Sequence, residues 1–400
     1  MPQSLTFILT QSLECPSGLG RYWPLAQCLA ARGYRVQVLA LHPNFGALQE
    51  RRLSRDGVSV RYVAQMHVQK TGSGKRYFSL VRLLWVAAVA SFKLTWAAVT
   101  TPSDVYHIGK AQPFNGLTAL VLLALGRQVY LDCDDYEAVS NRFGAEWQRK
   151  VVAWFEDHLP RWVHGVTVNT RFLQTRVQSL VPACRRVVLV PNAVSAQRFR
   201  MPDAGAVSEI RHQLQVEGRP VVVYVGSMSL ANHAVDLLME GFVQVVRELP
   251  AATLVLVGGG SDLVLLQDHA ARLGLEPNTR FVGRVPPDKV PAYYAAADLS
   301  VDPVRDDETA RARSPLKLYE SLAMGTPVVT GDVGDRRSAL GSQEALLVPA
   351  GDASALGKSI LALLQNQAMR ERLRTWAIEH RQQFLWESRI SEFARVYERN

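Results

Sequence analysis

A short apolar run that enters a glycine-bearing polar loop, then a helix, then a second apolar run, occurs twice in this chain. In the first half, residues 5–9 lead into Pro16-Ser-Gly-Leu-Gly20, a helical stretch over 22–31 closed by Gly33, and an apolar run over 36–41. In the second half, 221–225 meets Gly226, a polar loop and a helix starting near Asn232, and the run 253–257 enters Gly258-Gly259-Gly260. Strands buried on both faces read as unbroken apolar runs, and parallel strands need a crossover helix between them. Each series therefore predicts a βαβ unit. Further runs at 58–63, 105–107, 129–131, 165–168 and 187–190 extend the first into a parallel sheet covered on both faces.

Four hundred residues suit two such domains, both of α/β class, Rossmann-like and doubly wound. The junction falls after residue 198, where a polar segment carries Pro202, Gly205 and Gly218. Open parallel sheets bind ligands at the carboxyl ends of their strands, so the functional residues are expected where two sheets face across a cleft. Neither glycine loop completes Gly-x-Gly-x-x-Gly and there is no Walker A sequence, which weakens a dinucleotide or P-loop reading. Cys15, Cys28, Cys133 and Cys184 are too scattered for a disulfide framework or a zinc site, and the first apolar run meets Gln11 and Glu14 too soon for a signal peptide. Both observations point to a cytoplasmic setting.

The segment 311–329 is the richest in chemistry. Ser314 and Pro315 read as the start of a helix over 315–324 that ends at Gly325. A helix N-terminus carries free N–H groups and partial positive charge, and Arg313 and Lys317 add two cations, so the spacing predicts an anion site. Glu320, one turn beyond Leu316, is placed to meet ligand hydroxyl groups.

These residues, Ser314-Pro-Leu-Lys-Leu-Tyr-Glu320 with Ala323-Met-Gly-Thr-Pro-Val-Val329, resemble the GT-B glycosyltransferases, in particular the retaining GT4 family. Val190-Pro-Asn-Ala-Val194 with Phe199, Leu256-Val-Gly-Gly-Gly260 and Phe281-Val-Gly-Arg284 carry the same resemblance. It implies a transferase moving a sugar from a nucleotide-diphosphate sugar to an acceptor hydroxyl with retention, no cofactor, no required metal, and residues 383–400 crossing back to domain 1–198 from domain 199–382. It implies that Glu320 holds the ribose and that 313–317, with Arg313 and Lys317 catalytic, binds phosphate and sugar. A second family Glu falls on Ala312, for which Asp306, Asp307 or Glu308 can substitute. The family's two phosphate cations fall on Ser227 and His233, which leaves Arg284, Arg313, Lys317 and the helix start near Asn232 to neutralise the diphosphate. His107 matches a strand-end histidine near the transferred sugar, Gly18 and Gly20 a flexible loop at the donor, and Asn192 a structural asparagine. The Asp-x-Asp of Asp132-Cys-Asp134 and its neighbour Asp135 lie in the half away from the nucleotide. They read as acceptor-side or structural rather than metal-binding.

The net charge of +9 invites an anionic partner. Residues 57–103 contain no Asp or Glu, while Arg61, Lys70, Lys75, Arg76, Arg82 and Lys93 are cationic and Trp85 and Trp96 interleave with them. A lysine near the centre of the apolar stretch argues against a spanning helix. The expectation is peripheral contact of 75–100 with an anionic membrane, on the inner face of the cytoplasmic membrane, presenting a lipid-linked or envelope-polysaccharide acceptor. A UDP-sugar epimerase of the same architecture and a non-catalytic nucleotide-sugar-binding protein stay open as alternatives. No nucleic-acid module accompanies the charge.

Overall fold

The computed structural model describes residues 3–71, 74–141, 143–230 and 233–398, and the chain divides into two compact units. The first comprises 1–192, 312–314 and 389–400; the second comprises 193–311 and 315–388.

The first unit carries β1 (Ser4–Leu9), β2 (Arg35–His42), β3 (Arg52–Arg55), β4 (Val58–Gln65), β5 (Val68–Thr71), β6 (Gly74–Tyr77), β7 (Val105–Gly109), β8 (Gln128–Cys133), β9 (Gly165–Val168) and β10 (Arg186–Leu189). Eight of these form one sheet in the order β10-β9-β8-β7-β1-β2-β4-β3, parallel throughout except for the edge strand β3. The polar strands β3, β5 and β6 were not expected, because none has the apolar run of the buried strands. On β1, Phe7 is flanked by Val38 of β2 and His107 of β7, so the middle of the sheet is enclosed by its own neighbours. Ile8, Ile108, Leu131 and Val166 pack with Leu94 and Ala98 of the helix Leu80–Val99 in one core.

A buried ion pair anchors the loop after β1 to the end of β8. The loop after β1 enters a π-helical turn, Gly18–Tyr22, wound so tightly that a Cβ on Gly18 would run into the Ser12 carbonyl. The turn carries Arg21 into the interior, where Nε and Nη2 each donate to Asp132 at 2.7 Å and Nη1 donates to the Val190 carbonyl at 3.1 Å. Gly18 and Gly20 are buried here. The two glycines, read from the sequence as a loop at the donor, lie in this wound turn, with Gly18 packed on the backbone of residues 12 and 13.

The second unit carries β11 (Val221–Val225), β12 (Thr253–Val257), β13 (Thr279–Gly283), β14 (Leu299–Asp302), β15 (Val328–Gly331) and β16 (Leu347–Val348), in the order β13-β12-β11-β14-β15-β16 and parallel throughout. This is the Rossmann order, with the reversal between β11 and β14. The helix expected from Asn232 begins at Val235; Asn232 itself lies outside the described residues. The boundary falls before Ala193 rather than after residue 198, since the Val194 N–H donates to the Phe384 carbonyl at 2.8 Å and Phe199 lies in the second core. For the same reason the return to the first unit starts at Arg389 instead of residue 383: Phe384 and Leu385 belong to the second core.

Removing one partner of a buried ion pair leaves an uncompensated charge. Arg21→Leu is therefore expected to lower the unfolding free energy by about 3–5 kcal/mol, and Arg21→Met with Asp132→Leu to regain part of it. Urea titrations of the three proteins check this.

Candidate functional site

Beside the reversal point of the second sheet, the loops after β11 and β12 meet backbone to backbone. A Cβ on Gly258 would land on the Gly226 carbonyl, and one on Gly260 on the Met228 carbonyl. Gly258 has φ 141°, a conformation that favours glycine. Arg284, exposed after β13, lies over the loop, and a Cβ on Gly259 would sit 3.1 Å from its Nε.

Lys317 stands in the first turn of the helix Leu316–Ala323, with Pro315 at the N-cap. Its stem passes Gly226 so closely that a Cβ there would collide with Lys317 Cε. The ammonium donates to His233 Nδ1 at 3.2 Å, lies 3.9 Å from Asp302 Oδ1 at the end of β14, and sits 5.5 Å from the Tyr224 ring centre. Burial tends to raise the Asp302 carboxyl, but Arg336 and Lys317 outweigh it and hold the group below the usual carboxylate range. Glu320 is buried, with Oε1 accepting from Arg198 Nη2 at 2.7 Å and Oε2 from the Tyr294 hydroxyl at 3.2 Å. Burial pushes its pKa up, against the Arg198 charge. Ser227 is exposed, and its carbonyl accepts from the Tyr224 hydroxyl at 2.9 Å.

The structure thus gathers Gly226, Ser227, His233, Arg284, Pro315, Leu316, Lys317 and Glu320 on one unit. The residues just before the helix belong to the other. Ser314 does not cap the helix; its hydroxyl accepts the Asn192 N–H at 2.9 Å. Arg313 lies 4.0 Å from Asp135. Ala312 is buried and its carbonyl accepts from Thr170, while Asp306 pairs with Arg311 and Asp307 caps the helix Glu308–Ala312 through the Ala310 N–H.

In the first unit, acids and bases crowd the ends of β7 and β8. Lys110 takes φ 71°, strained for a lysine, and its ammonium pairs with Glu137 and lies 3.4 Å from Asp134 Oδ1. That Asp134 oxygen is buried with no hydrogen bond among the described residues, and burial pushes the carboxyl up to about 7. Asp135 accepts from the Ser140 hydroxyl at 2.7 Å. Behind them Glu156 accepts the N–H groups of Glu137 and Ala138, and burial with the Glu137 charge raises it to about 8.

His107 is not at a substrate. It is fully buried on the central strand β7, with Nδ1 2.6 Å from the Tyr397 hydroxyl, Nε2 3.3 Å from Thr167 Oγ1, and Phe393 stacked on the ring. Burial lowers its pKa to about 4, so it is a neutral core residue. A catalytic role is corrected on that ground. The partners that sequence reasoning missed, Arg198, Tyr294, Asp302 and Lys110, lie far along the chain from the groups they hold. Only Asp302, an acid closing an apolar run, had a local signal.

Glu156 supplies a pH prediction. Its folded pKa is raised, so the folded state binds the extra proton, and this stability is present below about pH 4.5 and lost as pH rises through about 8. Glu156→Gln is expected to flatten the fall in urea midpoint across that window.

Two family models match the chain: "Glycosyl transferase 4-like domain" over residues 17–193 and "Glycosyl transferases group 1" over residues 219–366. A GDP-mannose-dependent alpha-(1-6)-phosphatidylinositol monomannoside mannosyltransferase of Mycolicibacterium smegmatis is 28% identical over 58% of this chain and 61% of its own length. The 2-deoxystreptamine N-acetyl-D-glucosaminyltransferase of Streptomyces fradiae is 29% identical over 84% and 79%. The chain spans only 44–61% of the length of the phosphatidylinositol mannosyltransferases it matches. Among solved structures, Anabaena HepE in complex with UDP and glucose superposes with a TM-score of 0.73 at 19% identity, covering 99% of both chains.

Proposed function

The chain belongs to the GT-B glycosyltransferases, and on that premise we propose that it moves a sugar from a nucleotide-diphosphate sugar to an acceptor hydroxyl, with retention of configuration. The observation that carries this reading is Lys317, a cation held at the reversal point of a Rossmann-ordered sheet, against the Gly226 loop and the end of β14. That the Anabaena neighbour holds UDP and glucose supports it.

Departure of the nucleoside diphosphate leaves positive charge on the sugar and extra negative charge on the leaving oxygen. Cations and helix N–H groups that meet this oxygen stabilise the transition state more than the ground state. Lys317, at the start of its helix, is the catalytic cation in this reading, and Arg284 over the Gly259 loop is the second. The Glu320 carboxylate, fixed by Arg198 and Tyr294, accepts from the ribose hydroxyls. Asp134 and Asp135 serve the acceptor side.

The acceptor proposed is lipid-linked or an envelope precursor, met at the cytoplasmic face of a membrane. The mannosyltransferase relative named for phosphatidylinositol monomannoside supports this. So does the helix Leu80–Val99, long and apolar enough to cross a membrane, with 17% of its most apolar window buried. It lies on the membrane in this reading, because Ala90, Leu94, Ala97 and Ala98 are packed into the unit.

Lys317→Ala is expected to lower kcat about 100-fold or more while the far-ultraviolet spectrum stays unchanged. Near-normal transfer would remove the assignment. A thermal-shift panel of UDP, GDP and ADP identifies the nucleotide. Donor binding without transfer or hydrolysis would make the chain a nucleotide-sugar-binding protein, and conversion of the free donor without acceptor would make it an epimerase.

A further inference from the structure

A cavity of about 340 Å³ opens beside the antiparallel edge of the first sheet. Arg51, Arg52 and Arg61 line it from the β3–β4 side, with Phe92, Lys93 and Trp96 of the helix Leu80–Val99 opposite. Arg52 and Arg61 stand directly across from one another in the antiparallel register, so their side chains leave the same face. Like charges so placed repel and destabilise the pair. Arg51 lies 4.4 Å from the Phe45 ring centre and Lys93 5.8 Å from the same ring, which draws two more cations together.

No acid answers them. The lining contains no Asp or Glu, and none of the four cations forms a salt bridge among the described residues, whereas nearby Arg55 meets Asp56 at 3.4 Å. Glu14 is engaged elsewhere: the Tyr62 hydroxyl donates to it at 2.6 Å and His42 Nε2 lies 3.9 Å from it. Four cations with no counter-ion among the described residues, two of them in forced opposition, describe a site completed by an anion. Its rim gives the anion's source. Phe92 and Trp96 are 69% and 62% exposed, on the same helical face as the exposed Val81 and Trp85. Cations beside a stripe of exposed aromatic side chains suit the boundary between phosphate headgroups and acyl chains.

We propose that this pocket binds the phosphate of an anionic phospholipid headgroup while Phe92 and Trp96 enter the interface. The inference rests on the membrane contact proposed above and makes it specific for lipid phosphate.

The test uses the full chain and vesicles of phosphatidylcholine, alone or equimolar with phosphatidylglycerol, with soluble glycerol phosphate as competitor. The wild type is expected to float with the anionic vesicles and to resist the competitor. Arg52→Gln with Arg61→Gln is expected to weaken that binding roughly 30-fold, from the loss of two cations near the surface. Because the substitution relieves like-charge repulsion, the melting temperature should hold or rise, which separates lost binding from lost folding. Wild-type flotation that ignores lipid charge, or a double variant that binds as the wild type does, overturns the proposal. Competition by glycerol phosphate as strong as by vesicles also overturns it and gives the pocket to a soluble phosphate ester. A nucleotide thermal shift on the same preparations keeps the readings apart: its absence sinks the transferase reading and leaves the lipid-phosphate result standing.

Discussion

Much of the second unit's chemistry depends on how near two loop backbones come at the end of its sheet. The Gly226 carbonyl occupies the space a side chain at position 258 would need, and the Lys317 stem occupies the space a side chain at 226 would need. Any larger residue at either place must push the loops apart or displace the ammonium. The glycines therefore act as spacers that set the position of a charge. Asp302 and His233 complete the seat, since a half-buried ammonium without acceptors would shed its proton or turn outward.

The strand ends of the first unit solve a different problem. Arg21 and Lys110 enter a region with Asp132, Asp134, Glu137 and Glu156, and geometry decides which acids keep their charge. Asp132 and Glu137, gripped by a cation and by hydrogen bonds, are held below the usual carboxylate range despite burial. Asp134 and Glu156, less fully compensated, are raised toward neutrality. Carboxyl groups with separated proton affinities at one sheet end are an arrangement that suits orienting or accepting a proton from a hydroxyl.

The fold was legible where burial writes an unmistakable pattern. Runs such as Val221–Val225 and Thr253–Val257 have no polar face because helices cover both sides, and glycines mark where the strands stop. The edge strand β3, Arg-Leu-Ser-Arg, has no such run because its neighbour lies on one side only. Within the site, Lys317 was readable from its place at a helix start. Its surroundings were not: Arg198 reaches Glu320 across 122 positions, and no local spacing encodes that. His107 misled for a related reason: it reads as the end of its apolar run, whereas β7 continues to Gly109 and the side chains that seal the ring, Phe393 and Tyr397, come from the far end of the chain.

That last contact sets an order of events during synthesis. The ring of His107 is enclosed by residues translated almost three hundred codons later. The nascent N-terminal half can collapse around its sheet while the ribosome is still working, but with a missing wedge beside β1, β7 and β8. The second unit, contiguous apart from the small excursion at 312–314, has all of its strands by residue 348. Completion of the unit made first must therefore wait for residues 389–397 to clear the exit tunnel, so the half that begins folding earliest is the one that finishes last.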